Sequence, residues 1–320
     1  MLIMDMSVSI IITTFNGEKF LNSIISTIEP YYRENYEIIM IDDGSEREDN
    51  TLKLFSERFP KALCKKQSNS GVAAARNTGA RMASKDYLQF IDIDDAISPS
   101  KLGKQLKKAK QENADVVYSD WRMVIYYDKN HIVENPIIIS GEKTDYIESL
   151  LEKWWNPFHS YLIRKSSYLA IGGSNEKLVN AQDFDVMVRL AINNYKFSYD
   201  PGLHSFYYRY VNTRSLARGP RKKYWLDTID VICKAIYLLK IENKLIYEYQ
   251  RAAALRLFLV ARNVYRIDKS WNKEIMRKIY TLDPNFKPLN QSIKFRLLYN
   301  TIGYNNTEML LNTTLIKLLK

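Results

Sequence analysis

A chain of 320 residues, 46% hydrophobic and 26% charged, reads as ordinary globular protein long enough to bury one large core or two smaller ones. Its two cysteines, Cys64 and Cys233, exclude a disulfide framework and a zinc-ligand spacing, and they suit a reducing, cytoplasmic setting. The net charge of +11 is uneven: residues 201–320 carry 22 Lys and Arg against 8 Asp and Glu, while the first 200 carry 25 against 28, so a near-neutral front precedes a basic back suited to an anionic partner such as a membrane surface, nucleic acid or a diphosphate.

Residues 1–6 carry Asp5 and no apolar run of signal-peptide length, and no stretch reaches the roughly 18 uncharged apolar residues of a transmembrane helix. Ser7 to Thr14 is a β-branched run that predicts a buried strand. Asn16-Gly17 breaks it, and Phe20, Leu21, Ile24, Ile25 and Ile28 then recur at helical spacing. Tyr36–Ile41 predicts a second strand, closed by Asp42-Asp43-Gly44-Ser45, and a helix runs from about Glu48 to Phe59 before Pro60. A Gly/Ala-punctuated helix spans Asn69–Met82, a strand Tyr87–Ile91, a basic helix Lys101–Gln111 and a further strand Asp115–Ser119. Gly172-Gly173 marks a turn and a helix starts near Asp183. Beyond residue 220 the chain is helical and basic, broken at Pro284 and Pro288, which sets an expected division into 1–218 and 219–320.

Alternating strands and helices predict an α/β fold, a mostly parallel sheet with helices on both faces, and in such sheets ligands bind beyond the carboxyl ends of the strands. Three polar strand ends fall there: Thr13–Asn16, Asp42-Asp43 and Asp92–Asp95. Carboxylates at alternate positions, Asp92 and Asp94, suit a hard cation, Mn²⁺ or Mg²⁺, held through oxygen with substrate phosphate completing the shell. Taken alone, Asp-x-Asp equally suits a solvated turn capping the next helix, and Asp42-Asp43 a helix cap. Trp154 and Trp155 could stack on the sugar ring of an acceptor or fill a core.

Four segments in order resemble the signatures of family 2 glycosyltransferases of GT-A fold: Ser7–Asn16, Ile39–Ser45, Asn69–Gly79 and Phe90–Asp95, together spanning about the first 105 residues. The resemblance implies a nucleoside-diphosphate-sugar donor, UDP in the first instance, held by Thr13, Phe15, Asn16, Asp43, Asn69, Gly71, Arg76, Asp92 and Asp95. Phe15 would stack on the base, Asp43 would read its edge, Arg76 would lie near the phosphates or donor sugar, and Asp94 would ligate the metal, with Asp92 in support. Ala181-Gln182-Asp183-Phe184-Asp185 is similar to the family's helix start that bears the general base, which maps onto Asp183. The macrodipole at such a helix start lowers a carboxylate's pKa, so Asp183 is expected ionised. The usual Glu before the base is Gln182. Phe206–Ser215 resembles the family's closing loop, with Val211 where a metal-binding His is usual, leaving Arg209, Arg214 and Arg218 to clamp the diphosphate.

The expected activity is thus inverting transfer of a sugar to a hydroxyl of a glycan or lipid-linked glycan, of the bacterial surface-polysaccharide type. The basic, apolar C-terminal helices suit the inner membrane face or a homodimer interface. No Gly-x-Gly-x-x-Gly or Gly-x-x-x-x-Gly-Lys occurs, which disfavours dinucleotide and P-loop enzymes. A basic nucleic-acid-binding or scaffold protein and a sugar nucleotidyltransferase remain as alternatives; the main reading expects no nucleic acid.

Overall fold

The structure, a computed structural model, describes residues 7–127, 131–211 and 221–318. In chain order its elements are β1 (Val8–Thr14), α1 (Leu21–Arg33), β2 (Glu37–Asp42), α2 (Thr51–Arg58), β3 (Leu63–Lys66), α3 (Val72–Met82), β4 (Tyr87–Asp92), β5 (Ala96–Ile97), α4 (Lys101–Glu112), β6 (Val116–Tyr126), β7 (Ile132–Glu134), α5 (Tyr146–Glu152), β8 (Tyr161–Arg164), α6 (Lys165–Ala170), α7 (Gln182–Ile192), β9 (Phe197–Tyr210), α8 (Arg221–Ile241), α9 (Tyr247–Val264), α10 (Lys269–Leu282) and α11 (Ile293–Leu318). The chain divides into two compact units, Met1–Tyr146 with Trp155–Pro220, and Ile147–Trp154 with Arg221–Lys320.

The first unit is built on one sheet in the order β3-β2-β1-β4-β8-β6-β9-β5, with β7 on β6. β3, β2, β1 and β4 pair in parallel, β8 is antiparallel to both its neighbours, and β6 runs parallel to β9. The sheet is therefore parallel from β3 to β4 and mixed beyond them. All seven residues of β1 are buried, as a strand covered on both faces requires. Ile10, Ile12, Ile38, Met40 and Ile91 form one core with Leu21, Ile24 and Ile28 of α1 and Leu102 and Leu106 of α4, each such side chain contributing about 1.5–3 kcal/mol by leaving water. On the other face α3 lies almost directly on β1: a Cβ on Gly79 would stand 2.3 Å from a methyl of Ile11. The parallel register sets Thr13 beside Asp92 and Thr14 beside Asp42, so the polar strand ends meet.

Three strands depart from the sequence expectation. β3 is short, exposed and lysine-bearing, an edge strand with no apolar alternation to betray it. β5 has two residues. Phe206–Tyr210, expected in a closing loop, is instead the end of β9, because its alternating aromatics pair residue for residue with Arg122–Tyr126 of β6. The rest of that expected loop, with Arg214 and Arg218, lies outside the described residues.

The second unit is helical. Phe258 of α9 packs against Phe286, Phe295 and Tyr304, and α10 starts on Asp268, whose carboxylate accepts from Trp271 N–H at 2.9 Å. α11 is kinked at Gly303, whose φ is +75°. Among the described residues no helix is long and apolar enough to cross a membrane.

Candidate active site

At the carboxyl edge of the parallel strands, side chains tie one loop to the next. Asn16, in the left-handed region at φ +49°, donates its N–H to Ser45 Oγ (2.8 Å) and accepts from Glu46 N–H (2.9 Å). Ser45 is held in turn by Asp42. Asp43 accepts from Gln67 Nε2 (2.8 Å), Ser70 N–H (2.9 Å) and Gly71 N–H (2.8 Å), which folds the loop before α3 around it. Gly44 is required there: at φ +78° a Cβ would stand 2.6 Å from the Asn69 amide nitrogen. Phe15, next to Asn16, is 50% exposed, a large aromatic side chain left half open to solvent.

Arg76 is the centre of the site. α3 buries it to 3% exposure, and its guanidinium lies 4.4 Å from the centre of the Phe158 ring. Nη1 donates to Asp183 Oδ1 at 2.7 Å, and Nη2 to the Asp92 oxygens at 2.9 and 3.1 Å. Thr13 Oγ donates to the same Asp92 at 2.7 Å. Burial works to raise the Asp92 pKa, but Arg76 and the Thr13 hydrogen bond overcome it and hold the carboxyl below its usual range. Asp183 goes the other way. Burial pushes it up, Asp92 adds to that, and Arg76 offsets only part. The sequence expectation of a pKa lowered by the macrodipole is therefore corrected: the loss of water outweighs the first turn of α7.

The neighbouring residue, Asn77, ties down the Gly172-Gly173 turn that precedes α7. Its Oδ1 accepts from Ser174 N–H (2.8 Å), its Nδ2 donates to Ser174 O and Glu176, and Arg189 of α7 donates to Gly173 O at 2.7 Å. Gly173, at φ +70°, would place a Cβ 2.4 Å from Asn77 Oδ1. Gln182 donates back to Leu178 O and Val179 O, so the residue standing for the family's Glu braces the turn.

In the acidic turn after β4 the two later carboxylates differ. Asp94 makes no hydrogen bond to another side chain among the described residues, and burial together with the charges of Asp95 and Asp92 pushes it up to about 8. Asp95 is turned inward: His159 Nδ1 stands 2.9 Å from Oδ2, and Tyr208 N–H donates to Oδ1 at 3.1 Å. Tyr207 lies on the other side of that strand, its ring 5.8 Å from Trp155 and 6.4 Å from Trp121.

Among the residues singled out from the sequence, Thr13, Asn16, Asp43, Gly71, Arg76, Asp92, Asp94, Asp95 and Asp183 are brought to one edge of the first unit. Thr13, Arg76 and Asp95 are engaged with protein partners there. Arg209 is exposed on β9, Asn69 is exposed beside Gly44, and Trp155 is 37% exposed against Tyr207. Trp154 groups with the second unit. Sequence reasoning gives no role to Phe158, Asn77 and Tyr207 and reads His159 as an ordinary structural histidine, since their partners lie far away in the chain and only the sheet order brings them together. Among the described residues no three His, Cys, Asp or Glu side chains converge as a metal cage. A hard cation that takes most of its shell from phosphate and water needs only one or two carboxylates, and Asp94, uncommitted and crowded by like charge, fits that need.

Residues 9–171, half of the chain, match the family described as Glycosyl transferase family 2. The chain is 29% identical over 229 residues to the uncharacterized glycosyltransferase YwdF of Bacillus subtilis, covering 70% of this chain and 83% of that protein. It is 28% identical over 183 residues to an uncharacterized glycosyltransferase of Haemophilus influenzae, a match spanning 57% of this chain and 61%, under two thirds, of that relative. Staphylococcus aureus TarS 1–349, solved in complex with UDP-GlcNAc, superposes with a TM-score of 0.57 at 15% identity, over 82% of this chain and 74% of that one. The mannosyltransferase PcManGT from Pyrobaculum calidifontis, solved with GDP-Man and Mn²⁺, gives 0.51 at 16% identity, over 98% and 87%. At these identities the two structures speak for the fold alone, a GT-A arrangement followed by C-terminal helices.

Proposed function

Because the chain belongs to glycosyl transferase family 2, we propose that it transfers a sugar, with inversion, from a nucleoside-diphosphate sugar to a hydroxyl of a glycan or lipid-linked glycan, Asp183 acting as general base. One observation carries this reading: a single buried guanidinium joins Asp92, at the donor edge of the sheet, to Asp183 at the start of α7, so a carboxylate stands ready beside the donor position. Phe15 stacks on the base, and Asp43, with three of about four lone-pair positions filled by protein donors, keeps one for a uracil imide N–H. UDP is therefore the favoured nucleotide.

In the reaction the acceptor O–H loses its proton to Asp183 as its oxygen attacks the anomeric carbon, and the bond from that carbon to the diphosphate oxygen breaks on the opposite face. Arg76 holds Asp183 in place and offsets part of the rise that burial imposes on its pKa. Asp94 would hold Mn²⁺ or Mg²⁺, with Asp92 alongside, and the ion would neutralise charge on the departing diphosphate. Arg209 faces the same charge from β9. Trp155 and Tyr207 form an aromatic wall suited to a sugar ring of the acceptor.

The test is release of nucleoside diphosphate from a panel of UDP-, GDP- and TDP-sugars with Mn²⁺. Activity with a UDP-sugar that drops about 10²–10⁴-fold in Asp183→Ala supports the reading. Silence of the folded protein across the panel, or wild-type rates in Asp183→Ala, refutes it. In the second unit, Ile293 and Leu297 are 68% and 62% exposed on α11 beside Lys294 and Arg296, a basic, apolar face suited to anionic lipid. Flotation with anionic but not neutral vesicles supports peripheral membrane contact at this face, and a concentration-dependent dimer without flotation assigns it to a second copy.

A further inference from the structure

His159 is 2% exposed and sits in the 3-10 turn Phe158–Ser160, between β8 and the acidic turn. Its Nδ1 meets Asp95 Oδ2 at 2.9 Å. The other Asp95 oxygen takes Tyr208 N–H, and the Asp95 N–H donates to Asp92 O at 2.9 Å. This one carboxylate thus joins three pieces of chain: the 3-10 turn, the acidic turn and the outer half of β9. The β5–β9 ladder ends with Ala96 opposite Phe206, and the Asp95 side chain extends the pairing to Tyr208.

The turn that carries His159 is itself fixed from below. Gln89 Nε2 donates to His159 O at 2.9 Å, and Gln105 Nε2 donates to Ser160 O at 3.1 Å. Both glutamines accept from Lys101 Nζ, a fully buried amine nitrogen on the first turn of α4. Three polar side chains buried together and hydrogen-bonded to one another, Gln89, Lys101 and Gln105, are a costly arrangement unless position matters. What they position is Phe158, under the Arg76 guanidinium, and His159, against Asp95.

We infer that His159 is a positioning residue of the donor site: by holding Asp95 it sets the spacing between the acidic turn, with Asp92 and Asp94, and the stretch of β9 that bears Tyr207 and Arg209. The inference rests on the donor-site reading above. Its mark is that only the nitrogen facing Asp95 counts. An asparagine places its amide N–H where Nδ1 stands, whereas a glutamine reaches towards the far ring nitrogen.

The experiment compares His159→Ala, His159→Asn and His159→Gln with the wild type in titrations of Mn²⁺ with UDP, followed by the Mn²⁺ spin-resonance signal and by calorimetry. Removal of a residue that orients a ligand group weakens metal binding about 10–100-fold, and that loss is expected in the Ala and Gln variants, with donor KM rising more than kcat falls. The Asn variant stays close to the wild type. Equal losses in Asn and Ala, or unchanged Mn²⁺·UDP binding in Ala, overturn the inference. Amide hydrogen exchange at Tyr208, without ligand, separates it from the donor reading: exchange accelerates in Ala and not in Asn. Should the wild type bind no Mn²⁺·UDP while Tyr208 responds in this way, the donor reading falls and the Asp95 joint stands; an unresponsive Tyr208 removes the joint.

Discussion

Arg76→Met keeps most of the apolar stem of a buried side chain and removes its charge. In the native protein that charge faces Asp183 at 2.7 Å and Asp92 at 2.9 Å and rests on the Phe158 ring. Removing one member of a buried ion pair costs about 3–5 kcal/mol, chiefly because the partner stays behind unpaired. Here two carboxylates stay behind, but they keep 35% and 25% side-chain exposure, so water takes over part of their solvation and about 3 kcal/mol is the expected loss. The pH dependence has a definite sign. In the wild type Asp92 is held below its unfolded pKa, so its ionisation supports the fold above the ordinary carboxylate range and that support fades as pH falls through the depressed value. In the variant Asp92 and Asp183 both sit above their unfolded values, and the folded state takes up protons as pH drops from neutrality. The deficit therefore shrinks towards pH 5. Urea unfolding of both proteins at pH 7.5 and pH 5, followed by near-ultraviolet dichroism, measures it. Adding Asp92→Asn and Asp183→Asn to the variant should recover most of the stability, since no charge is then left unpaired. A variant as stable as wild type at pH 7.5, or a deficit that grows on acidification, refutes the account.

Phe15→Ala should raise the donor KM, and the Kd for UDP in calorimetry, by about tenfold or more, since stacking of a base on an aromatic contributes about 1–3 kcal/mol; the fold should be untouched because half of the ring faces solvent. The acid limb of kcat against pH should lie above the range of an ordinary carboxylate, because Asp183 must be ionised to accept a proton and its pKa is raised by burial; the rate falls as pH drops through that value. Gly79→Ala should destabilise the first unit by about 1–3 kcal/mol in urea, because its methyl would meet Ile11 at 2.3 Å and α3 must lift from β1.

The parallel half of the sheet, its edge strand β3 apart, was legible because its strands are largely apolar runs ending in polar residues, and that pattern survives in one dimension. β1, β2 and β4 carry it, and with them came the strand-end rule that located Asp43 and Asp92. In the mixed half only the start of β6 was legible, as the strand expected over Asp115–Ser119. β8 has four residues, β9 runs through Asp200-Pro201-Gly202 where its pairing with β6 slips register, and β9's aromatics read equally as loop. The pairings that give the site its form, Arg76 with Asp183 and His159 with Asp95, join residues that no local periodicity relates. Arg76 is singled out by the family resemblance, which implies a place near the phosphates or donor sugar; its two carboxylate partners, Asp92 and Asp183, could not be read from the sequence. The direction of the Asp183 shift was missed for a similar reason. A helix start is visible in sequence, whereas burial of the carboxylate is decided by what packs on it.

On the proposed displacement, the arrangement of charges suits both halves of the reaction at one small edge of a sheet. The leaving side needs carboxylates that stay anionic, and the attacking side needs one basic enough to take a proton. Arg76 gives both at once by unequal sharing. It grips Asp92 with two contacts, which Thr13 reinforces, and this carboxyl is driven down; it gives Asp183 one contact, too little to cancel burial, and this carboxyl is driven up. Environments that push like groups apart in pKa are how a site assigns acid and base roles to chemically identical side chains. Asp94 sits outside that sharing, crowded by its neighbours and bound to none of them, which leaves it as the carboxylate with the most to gain from a cation.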